Sequence, residues 1–175
     1  MDEWPVVEST VEYETGWYDG GYDLVEQPDG TRKHYYWAAL PSAVVVVPIH
    51  DGDVIFVEQY RPAIRESHLE LPAGIVEDGE DYATAGAREL REETGFEPAT
   101  VDDLQEVRVA TGVLRHDRGF VLARDLADVG RDLDDDEFVE TRRVPVDDAL
   151  SRAREPPTND ATVEGLLLAA ADGYL

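Results

Sequence analysis

The sequence predicts an α/β sandwich of mixed strands and helices, on three observations. A continuous apolar run, Ala43 to Ile49, has strand length and is bounded by turn signals. A stretch rich in helix formers and free of proline, Tyr82 to Thr94, follows several strand-like segments. A second helical pattern closes the chain before Gly173, so helices have both faces of a sheet to cover.

The elements follow in order. Val6 to Tyr13 alternates apolar and polar residues, a strand pattern. After Gly16, Tyr22 to Gln27 reads as a second strand, and Pro28-Asp29-Gly30-Thr31 as a turn into a hairpin partner, Arg32 to Ala38. This small antiparallel sheet is too slight to stand alone. It carries Trp17, Tyr18, Tyr22, Tyr35, Tyr36 and Trp37, aromatics that serve packing or an interface, or else stack on a base. The expected division is an N-terminal β subdomain, residues 1–40, ahead of a main domain, residues 41–175.

Ser42 to Ile49 is expected to be buried and to pair with Val54 to Tyr60 through His50-Asp51-Gly52-Asp53. Ser67 to Leu71 then leads into Pro72-Ala73-Gly74. Beyond the helix, Leu104 to Ala110, Phe120 to Ala123 and Val139 to Val144 read as strands, with a loop at Thr111 to Gly119. The acidic run Asp132 to Glu137 lacks the glycine and spacing of a calcium loop and reads as a solvated turn. Asp147 is placed to cap a helix over Ala149 to Arg154, and Thr158 or Asn159 to cap the last helix. Val163, Leu166, Leu167 and Ala170 form that helix's packing stripe.

Composition narrows the function. With 175 residues the chain suits one domain of ordinary size. It has no cysteine, which excludes disulfides, thiolate catalysis and cysteine-based zinc sites. No apolar run approaches a membrane span, and the acidic first ten residues lack the features of a signal peptide, so a cytoplasmic location is expected. Forty acids against fifteen bases leave a net charge of −25, with Lys33 the sole lysine. Since 42% of residues are hydrophobic, this is not a disordered acidic tail. The charge reads as solvation for a high-salt cytosol, where screening suppresses self-repulsion; an unusually acidic protein of ordinary cytosol is the alternative. General nucleic-acid binding is disfavoured, because phosphate contacts need clustered Lys and Arg.

The chemistry concentrates at the helix Tyr82 to Thr94. At about 100° per residue, Glu89, Glu92 and Glu93 crowd one face, while Ala83, Ala87, Leu90 and Thr94 form the expected core stripe. Three like charges at this spacing weaken an isolated helix. Either water solvates them, or they hold a divalent cation, whose preferred ligands are carboxylate oxygens. Ala85 and Gly86 lie beside them and are small enough for an anion to approach. Arg88, four residues before Glu92, can pair with it.

The stretch Gly74 to Phe96 resembles the Nudix box position for position. Gly74, five residues, Glu80, seven residues and then Arg88-Glu89-Leu90-Arg91-Glu92-Glu93-Thr94-Gly95-Phe96 fill the pattern without departure. The resemblance implies the Nudix α/β/α fold and hydrolysis of a nucleoside diphosphate linked to another moiety, with Mg2+ or Mn2+. It implies metal ligation by Glu89, Glu92, Glu93 and the backbone carbonyl of Ala73, with Arg88 and Glu80 orienting the ligands.

Glu58-Gln59-Tyr60-Arg61, Glu70-Leu71-Pro72-Ala73-Gly74 and Asn159-Asp160-Ala161 are similar to segments of the ADP-ribose pyrophosphatase subfamily. That similarity implies that Arg61 contacts substrate phosphates, the alternative being a surface ion pair. It also implies a homodimer in which the N-terminal sheet exchanges contacts and offers Trp17 or Trp37 to adenine. The chain departs from the subfamily at Thr111, where a proline is usual, and His116 falls where the following loop usually holds a glutamate. Histidine suits general-base work and Asp117 is adjacent, though His116 also reads as a plain loop residue. Arg115 and Arg118 beside it make an anion-binding loop plausible.

The expected function is hydrolysis of a nucleoside diphosphate sugar, foremost ADP-ribose to AMP and ribose 5-phosphate. The alternatives are another dinucleotide or a GDP-sugar as substrate, or a noncatalytic domain that senses a nucleotide.

Overall fold

The computed structural model describes residues 2–130 and 138–175. The turn expected at Asp132 to Glu137 lies outside them. The chain forms two compact units: residues 1–42 with 107–118, and residues 43–106 with 119–175.

In the first unit, β1 (Val6–Glu14), β2 (Asp19–Glu26) and β3 (Arg32–Ala39) form an antiparallel meander, and the two-residue β9 (Leu114–Arg115) pairs in parallel with β3. The turn at Pro28–Thr31 forms as the sequence predicts, with Gly30 at φ 81° donating its N–H to the Gln27 carbonyl. β2 starts three residues before its expected first residue, Tyr22, and so takes in Gly20 and Gly21. These glycines are not turn residues. A Cβ at Gly20 would fall 2.2 Å from the Tyr13 ring, and one at Gly21 would fall 2.1 Å from the Thr10 carbonyl oxygen. Their bareness lets the strand pass under the Tyr13 ring and close against the β1 backbone.

In the second unit the main sheet runs β11-β5-β4-β10-β8, with β6 added to β5 and β7 to β4. These strands are β4 (Ala43–His50), β5 (Asp53–Arg61), β6 (Glu66–Glu70), β7 (Ala73–Ile75), β8 (Phe96–Arg108), β10 (Asp117–Asp128) and β11 (Val139–Pro145). Val44, Val45, Val46 and Val47 are all buried, so β4 is covered on both faces, which explains its unbroken apolar run. The hairpin from β4 to β5 turns through Asp51 and Gly52, both at positive φ. β8 begins directly after the first helix and is longer than the segment expected at Leu104 to Ala110. It ends the strand order, and an edge strand tolerates Pro98 and a polar outer face. The loop expected at Thr111 to Gly119 contains β9 and the start of β10.

Three helices are described: α1 (Tyr82–Thr94), α2 (Val146–Ala153) and α3 (Asp160–Ala171). α1 has the predicted bounds. Asp81 caps its start by accepting from Thr84 N at 2.8 Å, and Gly95 ends it in the left-handed conformation. α2 starts one turn before the expected Ala149. Asp147 lies inside its first turn, where its charge opposes the helix dipole's positive end, and makes no side-chain cap. α3 is capped by Asn159 as predicted.

Both α1 and α3 are rotated from the expected stripes. α1 buries Ala85, Gly86, Glu89, Leu90, Glu93 and Thr94, while Ala83 and Ala87 are only half-buried. α3 buries Thr162, Gly165, Leu166 and Ala169 and leaves Leu167 exposed. In each case a glycine takes the point of closest approach to the sheet. A Cβ on Gly86 would lie 2.7 Å from Val121 and 3.3 Å from Val46; one on Gly165 would lie 2.9 Å from Leu71 and 3.2 Å from Phe120. Gly86 is therefore a packing residue, not an opening for an anion. The two glycines lie on opposite faces of the sheet, and the sandwich is α/β/α. No helix among the described residues is long and apolar enough to cross a membrane.

Replacing glycine by alanine inside a helix ordinarily stabilises by about 1 kcal/mol. At Gly86 the added methyl meets stiff valine methyls, and overpacking costs about 1–3 kcal/mol. Gly86→Ala should therefore lower Tm, by roughly 2–6 °C in a thermal melt; a higher Tm would refute the packing argument.

Candidate active site

The site is built on α1 and on β7, the short strand before it. β7 pairs antiparallel with β4, setting Gly74 opposite Val44 and Ala73 opposite Val45. This leaves the β7 backbone against the carboxylate face of α1. The Ala73 N–H donates to Glu93 Oε2 at 3.2 Å. A Cβ on Gly74 would fall 1.9 Å from the Glu89 carboxyl carbon, so the missing side chain is the space that this carboxylate fills.

Arg88 organises the remainder. Its Nε donates to Glu80 Oε1 at 3.0 Å, and its Nη2 to Glu80 Oε2 at 2.9 Å and to the Ile75 carbonyl at 2.8 Å. Its Nη1 donates to Glu89 Oε1 at 2.8 Å and to Glu92 Oε2 at 3.1 Å. A guanidinium has five N–H groups, and these five bonds use them all. A lysine offers three donors from one point and cannot reproduce the planar fork. Glu80 also accepts from the Glu77 N–H at 3.0 Å, closing the loop before the helix.

Electrostatics follow from this geometry. The hydrogen bonds from Arg88, and secondarily the Glu77 N–H, hold the Glu80 carboxyl below its ordinary value of 4.5 against the opposing effect of burial. The stabilisation from this pair is whole above pH 4.5 and fades as falling pH protonates Glu80. The Arg88 guanidinium is pushed above its ordinary value, chiefly by Glu80.

Glu89 and Glu93 are only 7% and 4% exposed, so they do not form the solvated face that spacing alone allowed. Within the group, four carboxylates, Glu80, Glu89, Glu92 and Glu93, share one corner of the fold with the Arg88 guanidinium. Clustered carboxylate oxygens are the donor set that suits a hard divalent cation. No three acidic or histidine side chains among the described residues are already gathered as a cation cage. The fit rests on the donors and on the Gly74 cradle.

The other predicted residues have local partners of their own. Arg61, the last residue of β5, bonds through Nε and Nη2 to Glu70. The alternative of a surface ion pair is corrected in one respect: the Glu70 side chain is 4% exposed. In the first unit, Arg115 bonds Asp23 and lies 3.9 Å over the Trp37 ring, and the Trp37 Nε1–H donates to Asp23 at 3.0 Å. One face of Trp37 is thus already covered. Trp17, in the turn between β1 and β2, is 61% exposed. His116 has Nδ1 2.7 Å from the Pro41 carbonyl, which only accepts, so Nδ1 carries the proton and Nε2 is the basic nitrogen of the neutral ring. Asp117 is turned toward Arg108 at 3.3 Å.

Sequence reasoning assigned no role to Gln59, Glu70 or Asp23. An acid at the buried end of a strand, as Glu70 is, was the available signal. A cleft of about 320 Å³ lies at Glu58, Ser67, Leu69, Arg142 and Arg152, and another of about 270 Å³ is lined by Arg88 and Glu92 of α1. Arg142 and Arg152 in the first are already paired with glutamates.

A family model described as the NUDIX domain matches residues 39–166. The chain belongs to the Nudix family. Pyrophosphohydrolase is the enzyme class that this membership and its relatives support. Among Nudix relatives it is 33% identical over 140 residues to the ADP-ribose pyrophosphatase of Bacillus subtilis, covering 78% of this chain and 76% of that protein. It is equally identical over 142 residues to the methanol dehydrogenase activator of Bacillus methanolicus, covering 79% and 77%. The crystal structure of an ADP compounds hydrolase matches with a TM-score of 0.89 at 23% identity, covering 100% of this chain and 98% of that one, which shows the Nudix fold.

The Gly74 cradle generates a direct test. In Gly74→Ala the new methyl must displace the Glu89 carboxylate, so kcat on a pyrophosphate substrate should fall by about tenfold or more with the fold intact by circular dichroism. Activity within about threefold of wild type would show that the cradle does not position Glu89.

Proposed function

We propose that this Nudix chain hydrolyses the pyrophosphate bond of a nucleoside diphosphate sugar, foremost ADP-ribose, with Mg2+ or Mn2+ as cofactor. The observation that carries the reading is the five-bond guanidinium of Arg88, which orders Glu80, Glu89 and Glu92 beside a Glu93 held by the Ala73 N–H. The similarity to an ADP-ribose pyrophosphatase supports the choice of substrate.

Glu89, Glu92, Glu93 and the Ala73 carbonyl would hold the ion. A bound Mg2+ or Mn2+ there neutralises phosphate charge and makes water a better nucleophile. The chain's own residues do the remainder. Arg88 fixes the carboxylates, and Arg61 takes the substrate phosphates. His116 accepts at Nε2 the proton that the attacking water gives up. A bond forms from the water oxygen to one phosphorus, and the bond from that phosphorus to the bridging oxygen breaks, leaving AMP and ribose 5-phosphate. Trp17, the more exposed ring, or the open face of Trp37 stacks on the base, and Arg115 stands beside Trp37 as a further anion contact.

The same reading makes the protein a homodimer of the salt-rich cytoplasm, with no nucleic-acid or membrane partner. Its support is the edge strand β1, which leaves Val6, Val7, Val11 and Tyr13 exposed for a second copy to cover.

The deciding experiment incubates the protein with Mg2+ or Mn2+ in high-salt buffer against ADP-ribose, GDP-sugars and dinucleotides. ADP-ribose should be the best substrate, give AMP and ribose 5-phosphate, and be cleaved by a species that sediments as a dimer. His116→Ala should lower kcat by about a hundredfold and remove the acid limb of the pH profile. Nucleotide binding without turnover contradicts hydrolysis, and an unchanged pH profile removes His116 as the base.

A further inference from the structure

We infer that Glu70 is a positioning residue for Arg61, holding its guanidinium so that one edge is kept for an anion. This rests on the reading that Arg61 takes the substrate phosphates.

Glu70 ends β6, and its carboxylate is almost wholly buried on the sheet face that α1 covers. β-Strand alternation places Ile55, Val57, Gln59 and Arg61 on that face, and Ile55 packs with Ala85 and Leu90 of α1. Register pairs Val57 with Glu70. A charge buried there is stable only when its oxygens are bonded. Glu70 meets that demand with three partners, two from β5 and one from the residue that caps α3. Arg61 Nε donates to both oxygens, at 3.2 and 3.1 Å, and its Nη2 to Oε2. Gln59 Nε2 donates to Oε2 at 3.3 Å, and Asn159 Nδ2 to Oε1 at 3.2 Å.

The geometry of the Arg61 fork matters. The Nε and Nη2 edge is spent on Glu70, and Nη1 makes no bond among the described residues. The Arg61 side chain remains 43% exposed, so it is anchored on one edge and presented on the other. A two-point carboxylate clamp removes the rotamer freedom that an arginine at a strand end otherwise has, so less order is lost when an anion binds. Glu70 lies three residues before Ala73, whose N–H bonds Glu93. The same short segment thus fixes the arginine and reaches the carboxylate site.

A purely architectural role is the competing account. Asn159 also caps α3 by accepting from Thr162 N at 3.0 Å, and Thr162 Oγ1 accepts from Leu71 N at 3.0 Å. Glu70 could matter only for docking α3 on the sheet. Thr162→Val removes one bond of that docking without touching Arg61, and separates the two.

The test is a double-mutant cycle on ADP-ribose hydrolysis with Glu70→Gln, Arg61→Ala and the double variant, beside Thr162→Val. Glu70→Gln keeps the shape and an acceptor for Asn159 but loses the charge that clamps Arg61. It should raise KM about tenfold with kcat within about threefold, and change KM less than about twofold once Arg61 is alanine. Thr162→Val should lower Tm and leave KM unchanged. A KM for Glu70→Gln within about twofold of wild type, additive effects in the cycle, or an equal KM rise in Thr162→Val would overturn the proposal. Should the wild type cleave no nucleoside diphosphate sugar, the functional reading falls by itself. Calorimetric titration of the same four variants with ADP-ribose, without metal, then reads the Glu70 claim separately: the same non-additive loss of affinity supports it, and no wild-type binding overturns both.

Discussion

The Arg88 guanidinium is the interaction on which the site depends. Helix α1 presents carboxylates at i, i+3 and i+4, an arrangement that opposes helix formation. Two of them, Glu89 and Glu93, are also buried, which deepens the cost. A single arginine on the same helix offsets part of it by sending all five donors to Glu80, Glu89, Glu92 and the Ile75 carbonyl. Because Glu80 lies in the loop before the helix and Ile75 in β7, the same cation ties three successive pieces of chain into one rigid unit.

Glycine does the complementary work. Gly74 leaves room for the Glu89 carboxylate against β7, and Gly86 lets the same helix settle onto Val46 and Val121. The helix is thus close to the sheet on its apolar side and close to β7 on its acidic side. Neither approach survives an added Cβ without movement. Electrostatic demand and close packing thus act on one helix, α1.

The bounds of α1, the hairpin turns and the buried run of β4 were legible in the sequence, because each has a strong local cause: Asp81 and Gly95 at the helix ends, Asp51-Gly52 at the turn, and four consecutive valines covered from both sides. The carboxylate cluster was legible as a pattern through its spacing. The rotation of α1 and α3 was not. Hydrophobic periodicity directs the largest apolar residues toward the core, yet Gly165 and Ala169 face the sheet while Leu167 faces water, because distance to the sheet decided the contact. Glu70 was hidden for a different reason. Its partners, Gln59, Arg61 and Asn159, are up to 89 residues away, and only the register of β6 on β5 and the cap of α3 bring them together. The start of β2 was hidden too, since the reason for Gly20 and Gly21 in the strand lies in the Tyr13 ring and the Thr10 carbonyl of β1.

The central claim is that the buried carboxylates of α1 form a divalent-cation site held in shape by Arg88. Titration of Mn2+ into the metal-free protein, read as loss of the free-ion electron paramagnetic resonance signal, tests it most directly. The account predicts saturable binding to the wild type, at least about tenfold weaker in Glu93→Gln and in Arg88→Lys, the first losing a ligand and the second losing the fork that orients the others. Equal Mn2+ affinity in all three proteins would contradict it.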